Sequence, residues 1–238
     1  MELSKRLQAV ADLLSNGLVV ADVGTDHGYI PIYLIETEKC PNALAMDINE
    51  GPLVRAKEHI AAHQLSDMIE VRQSDGVKAL RIGECEAVVV AGMGGALAVK
   101  IMTEGAAIFK SLKEFVLQPQ SELDKVRLFL YENGYDIIEE EMVLEDGKYY
   151  PMMKVVNGNA QQYNIAELRY GRRLLQKKHP VLKAFLEKEF SSKQTIVKKL
   201  QLELIGCEAN IHIQKRVLEL EEEINCIRFA LNLYETKL

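Results

Sequence analysis

The sequence is poor in everything that would mark a special architecture. Its four cysteines, Cys40, Cys85, Cys207 and Cys226, stand far apart, with no CxxC pair and no histidine cluster beside them. That excludes a disulfide framework and leaves no metal site to expect; a reducing, cytoplasmic setting fits best. Six prolines and 15 glycines among 238 residues exclude collagen-like and low-complexity chains. No apolar run reaches the roughly 18 residues of a membrane span, and the amphipathic start MELSKRLQAV does not read as a secretory leader. What is present is 48% apolar and 27% charged residues, enough for a full core and too apolar for disorder. The length suits one large domain, or one domain with an appendage.

Charge is unevenly distributed. The net charge is −6, but residues 1–156 carry net −10 and residues 157–238 carry net +4. Most of that excess lies in Arg169, Arg172, Arg173, Lys177, Lys178, Lys183, Lys188, Lys193, Lys198 and Lys199, against only Glu167, Glu187 and Glu189 over the same stretch. Asymmetry of this kind points to a polyanionic partner, or simply to a solvated helix face.

The same point divides the pattern of apolar residues. Up to Val155, short apolar runs (LVVADV at 18–23, NALAMDI at 42–48, IEVRQSD at 69–75, AVVVAG at 87–92, FVLQP at 115–119) alternate with the helical stretches GYIPIYLIE, NEGPLVRAKEHIAAH, GALAVKIMTEGAAIF and SELDKVRLFLYENG. Alternation predicts βαβ units and a parallel, doubly wound α/β sheet. DIIEEEMVLEDGKYYPMMKVV then gives two extended runs around Asp146-Gly147, so the last strand turns back antiparallel. Nicotinamide-binding Rossmann sheets stay parallel, whereas class I methyltransferases reverse their seventh strand. The spacing predicts a first domain over 1–156 and a helical one over 157–238. A helix starts near Pro180, and two seams (Leu186, Phe190, Lys193, Val197, Leu200, Leu204, Cys207; then Ile213, Val217, Leu220, Ile224, Ile227, Leu231, Tyr234) flank a break over 206–210. Such seams predict an antiparallel helical hairpin of coiled-coil type.

The residues that carry chemistry cluster where strands end. Asp22, Gly24, Thr25, Asp26, His27, Gly28 and Tyr29 follow the first strand, with Gly24 allowing a tight turn and Gly28 a close backbone approach at a helix N-terminus. Asp26 would repel a pyrophosphate, and with Asp22 it suits a cationic ligand such as S-adenosyl-L-methionine. Asp47 ends the second strand, placed for ribose hydroxyls; Asp75 and Gly76 end the third, placed for an adenine amino group; Gly92, Met93, Gly94 and Gly95 end the fourth, where a target base and methyl donor meet. Each also has a plain structural role open to it, as a cap, a turn or a packing glycine. His59 and His63, four apart, have the spacing of a metal-chelating pair but read better as a solvated helix face.

Taken together, LSKRLQAVADLL, ADVGTDHGYIPIYL, AMDINEGPL, RQSDG, VVVAGMGG and LQPQSELDKVRLFL resemble the bacterial TrmK family of methyltransferases, which act on N1 of the adenine at position 22 of tRNA. The resemblance implies a class I methyltransferase domain with a seven-stranded, mostly parallel sheet, a C-terminal coiled-coil hairpin and a tRNA substrate. It places the methionine end of the cofactor by Gly24, Asp26, His27 and Gly28, the ribose by Asp47 and Ile48, the adenine by Asp75 and Gly76, and the target base near Gly92 to Gly95. Asp26 is then the candidate for stabilising the cationic base, with His27 or Tyr29 positioning it. Arg6, Arg169, Arg172, Arg173, Lys177 and Lys178 become candidates for RNA contact. A monomer suffices. Other substrates, a nicotinamide enzyme and a non-catalytic RNA-binding protein are the competing expectations.

Overall fold

Ser4 opens the first helix by accepting from the Leu7 N–H at 3.3 Å, and α1 runs over Lys5–Leu13. The computed structural model describes residues 1–204 and 210–235. After α1 come β1 (Val20–Val23), α2 (Tyr29–Glu36), β2 (Ala43–Asp47), α3 (Glu50–Ala62) and β3 (Ile69–Gln73). A helix-free connection leads to β4 (Ala87–Met93), α4 (Gly95–Glu104), α5 (Ala106–Ser111), β5 (Glu114–Pro119), α6 (Leu123–Glu132), β6 (Tyr135–Glu145) and β7 (Lys148–Asn157). The stretch expected as one helix from Gly95 is two, broken at Gly105, where a Cβ would stand 2.1 Å from Val77 Cγ2.

The seven strands form one sheet in the order β3-β2-β1-β4-β5-β7-β6. From β3 to β5 all neighbours are parallel, and β7 runs antiparallel to both β5 and β6. The reversal is made by two residues. Asp146 (φ 48°) and Gly147 (φ 75°) are both left-handed, and Glu145 pairs with Lys148 across them, a turn whose twist matches the strands it joins. Strand order switches direction at β1, leaving a crevice at the carboxyl ends of β1 and β4.

β1 and the first four residues of β4 are buried throughout, which is why their sequences lack alternation. Phe109, Phe115 and Tyr135 meet edge to face at centroid distances of 5.0 and 5.3 Å. Buried among these elements, Arg127 of α6 is ion-paired at 2.9 Å with Glu140 of β6, tying the sheet's edge to its neighbouring helix.

The chain divides into two compact units, Met1–Gln162 and Tyr163–Leu238. The division falls after Gln162 rather than Val156, because Asn157 still pairs with Tyr135 and the Gly158 N–H donates to Gly134 O at 3.1 Å. The second unit is helical in its described residues: α7 (Ile165–Tyr170), α8 (Arg172–Gln176), α9 (Pro180–Leu204) and α10 (Ile211–Glu235). α9 and α10 run antiparallel. Val197, Val217, Leu220 and Ile224 form their apolar contact, and Tyr234 Oη donates to His179 O at 3.1 Å. Lys193, which falls in the seam, is paired at 2.7 Å with Glu223 and at 3.1 Å with Glu189. The Leu204 and Cys207 seam positions and residues 206–209 of the break lie outside the described side chains. No helix among the described residues is long and apolar enough to cross a membrane.

Candidate functional site

The turn after β1 needs three left-handed residues: Gly24 (φ 81°), His27 (φ 66°) and Gly28 (φ 70°). Glycine takes that conformation freely; His27 holds it at some cost in strain. The N–H groups of Gly24 and Thr25 both donate to Met46 O, at 2.8 and 2.9 Å, which pins the turn to β2. Gly28 then starts α2.

Beside this turn lies a cavity of about 320 Å³, with Arg6, Asp22, Gly24, Asp26, Tyr29, Gly92 and Gln120 in its walls. Asp22 is 6% exposed. Burial pushes its carboxyl up from 3.8 to about 6; the charge of Asp47 adds to the rise and Arg6 opposes it. Arg6, from α1, donates from Nη1 to Gln118 Oε1 at 3.0 Å, and its guanidinium lies 5.7 Å from the Tyr150 ring. The same Gln118 oxygen accepts from the Gly92 N–H at 3.2 Å. One fully buried glutamine at the end of β5 thus sets both the cation and the glycine of β4. The cavity walls carry two acids, Asp22 and Asp26, and one base, Arg6, groups of both signs that suit the ammonium and carboxylate of a zwitterion.

Asp47, Ile48, Asp75 and Gly76 lie at the neighbouring ends of β2 and β3. Asp47 Oδ1 accepts from the Asn49 N–H at 2.7 Å and from Asn49 Nδ2 at 3.2 Å. Ile48 is 54% exposed, an apolar side chain with no core contact to explain it. Lys78 donates to Asp75 and holds its carboxyl below the usual range. Gly76 is left-handed, and a Cβ there would stand 3.1 Å from Ile101. Met93 lies across Gly24, its Cε 2.1 Å from where a Cβ would be.

Several expectations need correction. Gly95 is a packing residue rather than part of a base slot: it is buried, its N–H donates to Ser121 Oγ at 3.2 Å, and a Cβ would stand 2.4 Å from Ser121 O. Gly94, one residue earlier, is exposed. Asp26 is exposed, but Arg55 of α3 takes one of its oxygens. His59 and His63 are not merely solvated; His59 stacks on His27 at 5.0 Å, and His63 Nδ1 lies 2.5 Å from Glu36 Oε1. In the second unit Arg172 is 9% exposed. Its Nε and Nη2 donate to Glu167 at 3.0 and 3.1 Å, and its guanidinium stacks 3.8 Å from the Tyr163 ring. It is a structural cation. Arg169, Arg173 and Lys178 are half-buried, while Lys177 is exposed where α8 ends.

Arg55, Gln118, Gln120 and Tyr150 were not singled out from sequence, and His59 was noted only with His63. Gln118 alone carried a signal, a polar residue inside the apolar run FVLQP.

A methyltransferase-domain family matches residues 3–153 of the chain. The tRNA (adenine(22)-N(1))-methyltransferase of Bacillus subtilis (strain 168) is 38% identical over 159 residues, 67% of each chain. The crystal structure of the B. subtilis tRNA methyltransferase TrmK is similar over 97% of this chain and 99% of its own, with a TM-score of 0.84 at 30% identity. A Streptococcus pneumoniae structure, described as a putative tRNA methyltransferase in complex with S-adenosyl-L-methionine, is similar over 97% of this chain and 100% of its own, with a TM-score of 0.82 at 30% identity. With the reversed β7, the left-handed turn after β1 and the glycines closing β4, these likenesses show that the chain belongs to the methyltransferase-domain family and, within it, to the TrmK tRNA methyltransferases.

Proposed function

We propose that this chain transfers the methyl group of S-adenosyl-L-methionine to N1 of an adenine in tRNA, the adenine at position 22. The observation that carries the reading is the cavity with Asp22 and Arg6 on its walls beside Gly24. A cofactor with a sulfonium, an ammonium and a carboxylate, and no phosphate, fits that charge pattern; a dinucleotide does not. Asp22 holds the ammonium and Arg6 the carboxylate, a role that replaces RNA contact for Arg6. Gly24 and Gly28 let the backbone approach, with His27 between them. Asp47 offers Oδ2 to the ribose, since Asn49 occupies Oδ1, while Ile48, Asp75 and Gly76 receive the adenine.

When bound, the cofactor supplies an electrophilic methyl: attack by the in-plane lone pair of N1 forms the N–C bond as the C–S bond breaks, its electron pair stays on sulfur, and the base becomes cationic. The chain's task is alignment and charge. Gly92, Met93 and Gly94 bound the slot for the base, Asp26 faces the developing positive charge and accepts the N6 proton afterwards, and Tyr29 in the cavity wall supports the ring. Arg169, Arg173, Lys177 and Lys178 of the helical unit, Tyr163–Leu238, grip tRNA phosphates and offset the cost of extruding a base whose N1 lies on its pairing edge. The reaction needs one copy of the chain, no metal, and the cytoplasm where tRNA is found.

Incubation with labelled cofactor and unmodified tRNA, followed by mapping of the modified base, tests this. Label at N1 of the adenine at position 22 is expected; no incorporation, or label elsewhere, overturns it. Asp26→Asn is expected to lower kcat about tenfold or more while cofactor affinity stays unchanged.

A further inference from the structure

One stripe of α3 reaches the turn that forms the site. Arg55, His59 and His63 stand four residues apart and so share a helix face, and each contacts the segment from Asp26 to Glu36. Arg55 directs both Nε (3.2 Å) and Nη2 (2.7 Å) at a single oxygen, Oδ1 of Asp26. His27 Nε2 stands 3.5 Å from that same oxygen. Two donors of Arg55 converge on Oδ1 with the His27 ring beside them, and Oδ2 is left for a ligand.

His59 acts on the next residue. Its ring stacks on His27 at 5.0 Å and 28° and meets Tyr29 at 5.6 Å and 30°, while His27 and Tyr29 stack at 5.1 Å and 8°. His27 Nδ1 is buried and has no hydrogen-bond partner among the described residues. No hydrogen bond at that nitrogen orients the imidazole; stacking on its two neighbours does, at a residue whose left-handed backbone (φ 66°) persists only when its surroundings hold it.

We infer that Arg55 and His59 are positioning residues for methyl transfer: Arg55 decides which oxygen of Asp26 faces the incoming adenine, and His59 fixes the plane of the His27 ring. This rests on the role proposed for Asp26 above and on His27 as a group that positions the base. The side chains of Arg55 and Asp26 are 44% and 63% exposed, so their pair contributes little to folding. Misplacing a catalytic group by about 1 Å, by contrast, costs large factors in rate.

The test uses the full chain carrying Arg55→Ala, Arg55→Lys, His59→Ala or His59→Phe. It reads kcat and KM on unmodified tRNA, cofactor affinity by calorimetry, the melting temperature and the imidazole carbon-bound proton resonances of His27. Both alanine variants are expected to lose about tenfold or more in kcat, with cofactor affinity within about threefold and melting within about 2 °C of the parent. His59→Phe keeps a stacking ring and recovers most of kcat; Arg55→Lys, with one donor group in place of a fork, does not. The His27 resonances shift in His59→Ala as the neighbouring ring is lost. Unchanged kcat in both alanine variants, a loss that appears in cofactor affinity instead, a His59→Phe as slow as His59→Ala, or unmoved His27 resonances would each overturn the inference. Should the parent protein methylate no adenine in tRNA, the proposed function fails, while the His27 resonances still decide whether the clamp exists.

Discussion

Asp22→Asn removes a charge that folding must bury and that the cofactor's ammonium needs. In the folded chain this carboxyl titrates near 6, against 3.8 when exposed, because it is desolvated. Between those two values the folded form holds the extra proton, so stability falls as pH rises through that window and the full deficit is present above it. A rise from 3.8 to about 6 corresponds to about 3 kcal/mol, an upper figure because the asparagine amide must also be satisfied. At pH 7.5 the variant is therefore expected to melt higher than the parent, by roughly 6–12 °C if the whole amount is recovered. At pH 4, where the folded parent is already protonated, most of the gain disappears. Binding moves the other way. Parent affinity for S-adenosyl-L-methionine should weaken about tenfold between pH 7 and pH 5 as Asp22 takes up its proton, whereas Asp22→Asn binds weakly with no such slope. Thermal melts across pH and calorimetric titrations at pH 5, 6 and 7 measure both. A variant less stable than the parent at pH 7.5, or a parent affinity flat from pH 5 to 7, would refute the argument.

Other substitutions separate packing from chemistry. Gly95→Ala drives a methyl against the Ser121 carbonyl and should cost about 1–3 kcal/mol in denaturant unfolding; a silent substitution there would restore Gly95 as a candidate for the base slot. Arg127→Met strands Glu140 without its buried partner and should lose about 3–5 kcal/mol, most of it recovered when Glu140→Leu is added. Lys177→Glu with Lys178→Glu should raise the KM for tRNA, flatten its dependence on salt, and leave cofactor affinity alone; unchanged tRNA affinity would remove these lysines from the RNA contact.

Much of the fold could be read from the chain because a parallel sheet writes itself plainly. Its inner strands are continuous apolar runs such as AVVVAG, closed by glycine or aspartate, and the reversed strand is announced by Asp146-Gly147. The candidate site could be proposed from sequence for a related reason: glycines and acids at strand ends are local features, and the order of strands brings those ends together. What stayed hidden depends on pairing at a distance. Nothing in the spacing of Asp26 and Arg55 says that they meet, nor that His59 lies on His27. Gly105 and Gly95 looked like helix residues and turned out to be defined by Val77 and Ser121, far away in sequence. A count of basic residues gave Arg172 the same weight as Lys177, although Glu167 and Tyr163 bury one and leave the other in solvent.

The β6–β7 hairpin has a consequence for biosynthesis. The Lys5 N–H is held by Glu145 at 2.6 Å, and Arg6 faces Tyr150, so the earliest-made helix completes its contacts only when strands made near the end of this unit have appeared. A growing chain that has emerged only as far as β5 has its glycine turns but lacks the aromatic ring that faces Arg6. Arg6 therefore gains its last neighbour late: Gln118 can receive it once β5 is made, but the ring it faces arrives only when synthesis has passed Tyr150.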